Sequence, residues 1–486
     1  MCSFLLVSLS IESVLGEITL DRRRKKLDEM SKGEGLRGAY AATLSRIKAQ
    51  EGGRSKLGME VLMWVSHAER PLHVDELCHA LGVEEGSRDF NNIRDFPSAP
   101  TLLACCLGLV TIEKSSSTFR LVHYTLQEYL SDNPNLFTNP HSVIAGVCLT
   151  YLNFRHIRSL SSNLRPASQI APFLIYASCY WGAHARREIT ESVKTLALKL
   201  LYAYDQHIPS KMLLLHGIRV LDQPFDLEDT PRGFKGLHGA AYLGCLEVVV
   251  ALLETNTCDV QGVDFHGNTA IAWAARRGHE EVVRILLERS DVDPNTANTT
   301  YGQTPLSLAA QNGHEGVVGI LLERNGLNPN KADRWGQTPL LLATENWHEG
   351  VIRMLLEQSD VNVNKADEWN RTPLSLAAGY GYEGVVRMLL ERNDINPDIA
   401  DTTYGQTPLS WSAMRGHEGV VGMLLERNDV NPESPDNRSQ TPLAWALKNG
   451  HERIAKLLRE KTESVPKYSA NLKSTKSFLE ASHVHT

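Results

Sequence analysis

Apolar and polar positions between Tyr301 and Asp367 follow one pattern written twice. Tyr301 to Asp333 reads YGQTPLSLAAQNGHEGVVGILLERNGLNPNKAD, and Trp335 to Asp367 reads WGQTPLLLATENWHEGVIRMLLEQSDVNVNKAD. In the first copy Leu306, Ala309 and Ala310 share one face of a short helix. Thr304 suits its N-cap, where a side-chain oxygen accepts a free first-turn N–H, and Pro305 suits the first helical position, which needs no N–H. Gly313 can adopt the left-handed conformation that ends it. Val317, Val318, Leu321 and Leu322 then recur at helical spacing and predict a second helix over 315–323. Asp333 and Gly336 predict a turn leading outward before the next copy.

Aligned on Thr269, Thr304, Thr338, Thr372, Thr407 and Thr441, the copies lie 34 or 35 residues apart. A helix pair this short leaves an apolar face that only a neighbouring pair can cover, so the copies should stack into a solenoid. The period and the Thr-Pro-Leu opening resemble the ankyrin repeat. Leu237–Ala241 and Leu246–Leu253 read as a degenerate first copy without Thr-Pro. In the last copy Ala455 and Arg459 stand where an internal copy has Val318 and Leu322, and Lys456 adds a second charge, so the stack should stop there. The expected array is about seven repeats over 229–463, and the polar tail 464–486 is expected to be disordered.

Upstream the pattern is helical over 1–56, with Leu36, Tyr40, Leu44 and Ile47 in one stripe. The basic run Arg22–Lys26 reads as a solvated face. Residues 57–132 change to helix, helix, helix, hairpin, helix, the order of a winged helix. Its third helix, within Ser98–Leu109, carries no Arg, Lys, Asn or Gln to meet phosphates or base edges. The expectation is a buried helix and no DNA or RNA partner. Residues 133–228 predict a helical connector over Val143–Phe154, Ile170–Tyr180, Glu188–Tyr204 and Lys211–Val220.

Val65–Leu72 (VSHAERPL), Leu107–Val110 (LGLV) and Arg120–Leu130 (RLVHYTLQEYL) resemble the winged-helix region of the NACHT-ankyrin proteins of filamentous fungi, signal-transducing NTPases related to NOD-like receptors. Phe4–Leu15 is similar to the last helix of the NACHT core in that family. Pro172–Ala177 and Trp181–His184 resemble its bridge to the repeats. Family NTPase activity needs a P-loop ending in Gly-Lys-Ser or Gly-Lys-Thr to cradle phosphates and magnesium, and none occurs in this sequence. The chain thus begins where a NACHT core should be finishing. His123, with Thr125, Gln127, Glu128 and Tyr129, matches the family motif whose His touches a bound nucleotide. The resemblance implies a nucleotide sensor there; the residues themselves fit a His bonded to backbone at a strand-to-helix junction.

Composition sharpens the class. With 486 residues, 42% hydrophobic and 22% charged, the chain is of ordinary globular make-up. A net charge of −7 argues against a nucleic-acid binder. The eight cysteines form no C-x-x-C pair or metal-ligand spacing and read as reduced residues of a cytosolic protein. Met1–Leu15 lacks a basic start and a cleavage site, so it reads as a core helix rather than a signal peptide. No run reaches the ~18 apolar residues of a membrane span.

Candidate contact residues come from comparing copies. His279, His314, His348, His417 and His451 recur ten residues after the Thr, too far apart between repeats for one metal ion, and read as structural. Three residues before the Thr, the four central copies carry Tyr301, Trp335, Trp369 and Tyr404 at a hairpin tip. These rings either pack as a ladder between hairpins or form an outward stripe of the residue types enriched in binding hot spots; the sequence leaves both open. Trp347 replaces the Gly of every other Thr-anchored copy, and Tyr380 and Tyr382 occupy the matching loop of the next, with Tyr382 in place of the recurring His. The expectation is a mainly α, non-enzymatic scaffold without cofactor or metal, binding a protein partner, cytoplasmic or nuclear. A competing reading makes it the C-terminal fragment of a nucleotide-switched NTPase.

Overall fold

The computed structural model describes residues 19–25, 35–84, 87, 96–160, 171–216, 232–255 and 258–464. The helix expected over Met1–Leu15, the end of the basic run at Lys26 and the tail beyond Ser464 lie outside them. The chain divides into two compact units, 1–257 and 258–486.

In the first unit α1 (Gly35–Lys48), α2 (Arg54–His67), α3 (Val74–Leu81) and α4 (Ala99–Cys105) precede a hairpin of β1 (Val110–Glu113) and β2 (Thr118–Leu121), followed by α5 (Tyr124–Ser131). The strands pair antiparallel, Val110 opposite Leu121 and Glu113 opposite Thr118. A single antiparallel bridge joins His73, just before α3, to Thr118 of β2. Tyr40, Leu44 and Ile47 of α1 and Val61, Leu62 and Trp64 of α2 are buried, so the expected stripes form the core. One expectation is corrected. Only one face of α4 is buried, through Leu102 and Cys105, while Pro100, Thr101 and Ala104 are exposed. The seven residues, capped by Ser98, pack along one side against α2; the exposed face carries no cation.

The connector centres on Pro140–Leu152 and Leu174–Arg187. Tyr151, Phe154, Phe173, Tyr176 and Trp181 are fully buried there. Inside this aromatic core Tyr176 Oη and His184 Nε2 lie 2.8 Å apart, and His184 Nδ1 is 2.9 Å from His141 Nδ1. Burial pushes His184 down to about 3, so it is neutral at physiological pH. The unit ends with the helix pair Gly236–Leu243 and Leu246–Glu254, the degenerate copy.

The second unit contains, among the described residues, six helix pairs, from Ala270–Arg277 with Glu280–Leu287 to Pro442–Lys448 with Glu452–Ser464. Each first helix starts as the sequence predicts. Thr269, Thr304, Thr338, Thr372, Thr407 and Thr441 each accept the N–H three residues on. Successive hairpins are joined by backbone hydrogen bonds: the carbonyls of Tyr301, Trp335, Trp369 and Tyr404 accept from the N–H of Arg334, Glu368, Thr402 and Asn437 at 2.8–2.9 Å. The recurring His residues join the helix ends. Nε2 of His314, His348, His417 and His451 bonds a carbonyl of the preceding repeat at 3.0–3.2 Å. In the last pair Ala455 is buried and Lys456 and Arg459 are exposed.

Candidate functional site

Each hairpin tip is held by one side-chain carbonyl or carboxylate: Asn298 Oδ1 accepts from the N–H of Tyr301 (2.9 Å) and of Gln303 (3.2 Å), and an Asp does the same work in the next three copies. Asp333 Oδ1 accepts from the N–H of Trp335 (3.0 Å) and of Gln337 (2.8 Å), and Asp367 Oδ1 accepts likewise from Trp369 and Arg371. Asp401 accepts from Tyr404 N–H at 2.6 Å and Gln406 N–H at 3.0 Å. The turn therefore fixes where the ring at the tip emerges. The ladder between hairpins is made by backbone, and the rings stay partly in solvent: Tyr301 43%, Trp335 38%, Trp369 40% and Tyr404 47% exposed. Tyr301 and Trp335 stack at 5.6 Å, and the Arg371 guanidinium lies over Trp369 at 4.7 Å.

Between these tips and the first helices runs a groove of about 600 Å³, lined by Trp335, Trp369, Tyr404, Trp411, Glu345 and Arg371, among others. A second groove of about 370 Å³ shares Tyr404 and Trp411 and continues to Trp445. Trp411 is fixed by its indole N–H, which donates to Asp401 Oδ2 at 3.0 Å; Trp445 donates likewise to Asp436 Oδ2 at 2.8 Å. Trp273 does the same to Asp264 Oδ2 at 2.8 Å; in the three copies between Trp273 and Trp411, Leu308, Leu342 and Leu376 occupy this helix position, so no indole reaches the turn. Arg371 takes over at Asp367 Oδ2 (2.7 Å). Asp333 Oδ2 is buried and has no hydrogen-bond partner. Burial, with the Glu345 and Glu368 carboxylates nearby, pushes the Asp333 carboxyl above its ordinary range.

The loop residues form a second aromatic cluster. Trp347 has φ 61° and is 60% exposed. Its ring lies parallel to Tyr382, 1° between planes and 4.9 Å between centroids, and Tyr382 stacks in turn on Tyr380 at 5.3 Å. The reason for the pair is visible in its neighbours. At Gly278, Gly313, Gly381 and Gly416 an added Cβ would meet the imidazole of the next repeat's His at 2.6–2.7 Å. Where Trp replaces this Gly, the His of the next repeat is replaced by Tyr, and the two rings stack instead.

Arg415 joins the two clusters. Its guanidinium lies 5.6 Å from the Tyr380 ring and 5.0 Å from Trp411, and Nη1 donates to Gly379 O at 2.9 Å. Trp411 packs edge-on to Tyr404 at 6.0 Å. The structure thus brings Tyr301, Trp335, Trp369 and Tyr404 together with Trp347, Tyr380 and Tyr382 in one connected surface. Sequence reasoning missed Trp411, Trp445, Arg371, Arg415 and Glu345. The signal was present for two: Trp411 departs from the Leu of the central copies, and Arg371 from the Gln of Gln303, Gln337 and Gln406.

His123 lies elsewhere, as N-cap of α5. Its Nδ1 accepts from Thr125 N–H at 3.3 Å and lies 2.9 Å from Thr125 Oγ1, the backbone-bonded arrangement. Among the described residues no group of three or more His, Cys, Asp or Glu is placed to hold a metal ion. None of their helices is long and apolar enough to cross a membrane.

A repeat protein of stacked, Thr-capped helix pairs is the class that this fold and surface define. The family model for ankyrin repeats matches the chain three times, over 237–333, 306–401 and 393–468, and that for the winged helix domain of GPI inositol-deacylase matches 44–138. The chain therefore carries ankyrin repeats behind a winged helix, and such repeats mark a protein-interaction scaffold. Similar solved structures include the ankyrin repeat domain of Bcl-3, a member of the IkappaB protein family, 23% identical over 46% of this chain and 97% of that one, TM-score 0.41. The ankyrin repeat protein EF0377 is 25% identical over 40% of this chain and 97% of that one, TM-score 0.37. The ankyrin repeat domain of human ASB11 is 25% identical over 46% of this chain and 96% of that one, TM-score 0.39. No curated protein matches the chain.

Proposed function

We propose that the chain binds a protein partner through the aromatic surface running from Tyr301 and Trp335 across Trp369, Tyr404 and Trp411 to Tyr380, Tyr382 and Trp347. The observation that carries this reading is the exposure of the four tip rings, 38–47%, on turns whose backbone hydrogen bonds are already satisfied. The fold does not need these rings outward. Large half-exposed aromatics on a rigid frame lose little conformational entropy on binding, which is why such residues dominate interface hot spots. The His123–Tyr129 motif and the aromatic connector support membership of the NACHT-ankyrin group, with a role in intracellular signalling or innate-immunity-like recognition. No catalytic step is assigned. The test is proximity labelling in cells with the full chain and with the Trp335→Ala, Trp369→Ala double variant, its fold checked by circular dichroism. The proposal requires that proteins labelled by the wild type are lost from the variant; an unchanged set refutes it.

A further inference from the structure

We propose that the groove between Trp335 and Trp369 is a subsite for a cationic side chain, arginine or lysine, on an exposed segment of the partner protein; this deepens the protein-binding reading and rests on it. The walls are indole rings, whose faces attract cations. One already does so within the chain, since the Arg371 guanidinium lies 4.7 Å over Trp369. That cation is not free to serve the groove further, because its Nε and Nη2 both bond Asp367 Oδ2 at 2.7 Å.

The remaining charges of the groove are unequal. Asp401 is occupied by the N–H groups of Tyr404 and Gln406 and the Trp411 indole. Glu345, half-buried, accepts from the Gln337 amide on Oε2 at 2.9 Å and lines the groove as an acidic side chain. Beside it Asp333 Oδ2 is the buried acceptor without a donor. The equivalent oxygens of the next two repeats are taken by Arg371 and Trp411, both groove-lining, so this atom belongs to the same side of the hairpin. An apolar occupant would strip water from Glu345 without compensation, and an anionic one would add repulsion. A cation supplies the missing partner charge and uses the ring faces at the same time. The wider unit agrees in sign: residues 258–464 hold 29 Asp and Glu against 20 Lys and Arg.

The experiment is selection of binders from a random peptide library on the immobilised full chain. Fluorescence anisotropy then follows with each selected peptide and with versions whose basic residue is changed to norleucine or glutamate. The expected result is one fixed Arg or Lys position, a loss of about tenfold in affinity with norleucine, and a discrimination that largely disappears in Glu345→Gln. Norleucine peptides that bind as tightly, or a basic preference that Glu345→Gln leaves intact, overturn the inference. Peptides that need Trp369 but prefer no basic residue overturn the cation subsite alone. Peptides indifferent to Trp369→Ala overturn the docking surface as well, and a selection yielding no binder counts against both.

Discussion

Replacing Trp347 by Gly and Tyr382 by His, singly and together, tests whether these two departures are one compensated pair. Trp347 sits at φ 61°, where a side chain costs ~1–2 kcal/mol relative to glycine. Its parallel stack on Tyr382 returns about 0.5–1.5 kcal/mol. Trp347→Gly alone should therefore change stability by less than about 1 kcal/mol, since the two contributions oppose. Tyr382→His alone loses the stack and sets an imidazole beside an indole. In neighbouring repeats that ring sits so close to a Gly that an added Cβ would lie 2.6 Å from it, as between Gly313 and His348, so the new His cannot reach the Glu345 carbonyl. The single change should cost about 1 kcal/mol. Together the substitutions recreate the Gly–His contact, including a hydrogen bond equivalent to His348 Nε2 with Gln311 O at 3.0 Å. That bond contributes about 0.5–1.5 kcal/mol. The double variant should be more stable than the wild type by about 1 kcal/mol, with a coupling well above the ~0.3–0.5 kcal/mol scatter of independent sites. Urea unfolding followed by far-UV circular dichroism, at unchanged m, measures all four chains. Additive effects, or a double variant less stable than both singles, would refute the compensation. A gain on removing Trp347 also means that stability does not explain its presence.

Three further outcomes follow from the repeat chemistry. Asn330 and Asn364 donate their amides to the carbonyls of Asp360 and Asp394 at 2.6 Å, but the next copy has Asp398, whose Oδ1 is buried without a partner. Burial pushes the Asp398 carboxyl above its ordinary value, so the native state is weakened as pH rises from 3.8 through that raised value. Asp398→Asn should stabilise by about 1 kcal/mol at pH 7, with the advantage shrinking as pH falls toward 3.8; a gain independent of pH contradicts this. Gly313→Ala combines φ 75° with a Cβ 2.6 Å from His348 Nδ1 and should destabilise by about 2 kcal/mol in the same urea assay. His123→Ala removes a helix cap and should cost about 0.5–1 kcal/mol, while ADP leaves the melting temperature of the wild type unchanged; an ADP-induced rise that the variant abolishes would make His123 a nucleotide sensor instead.

Much of the second unit was legible because its signals are local. A Thr cap, a Pro at the first helical position and an Asp turn act within five residues, and each does in the structure what its position predicts. Helix limits in the connector shifted for the same local reasons: Pro140 starts a helix expected from Val143, and Thr190 caps one expected from Glu188. The compensation of Trp347 by Tyr382 was not legible, because it depends on a His ring resting against a Gly some 35 residues earlier. The tips posed a choice between a ladder of packed rings and an outward stripe; of the four rings, Tyr301 and Trp335 stack on each other, and all four are 38–47% exposed. Backbone hydrogen bonds join the hairpins themselves. Trp411 and Arg371 were readable as departures from Leu and Gln, but their meaning came only from the turn carboxylates they reach.

The central claim, that the aromatic surface of the repeats is where a partner protein docks, is met most directly by site-specific photocrosslinking in cells. A benzoylphenylalanine replaces Trp369 in one full-length chain and Arg387, exposed on a second helix, in another. The account predicts a discrete crosslinked partner from position 369, weakened when Trp335→Ala and Trp347→Gly are added, and none of that species from position 387. A partner crosslinked from 387 and not from 369 would place the docking face on the other side of the repeats and contradict the account.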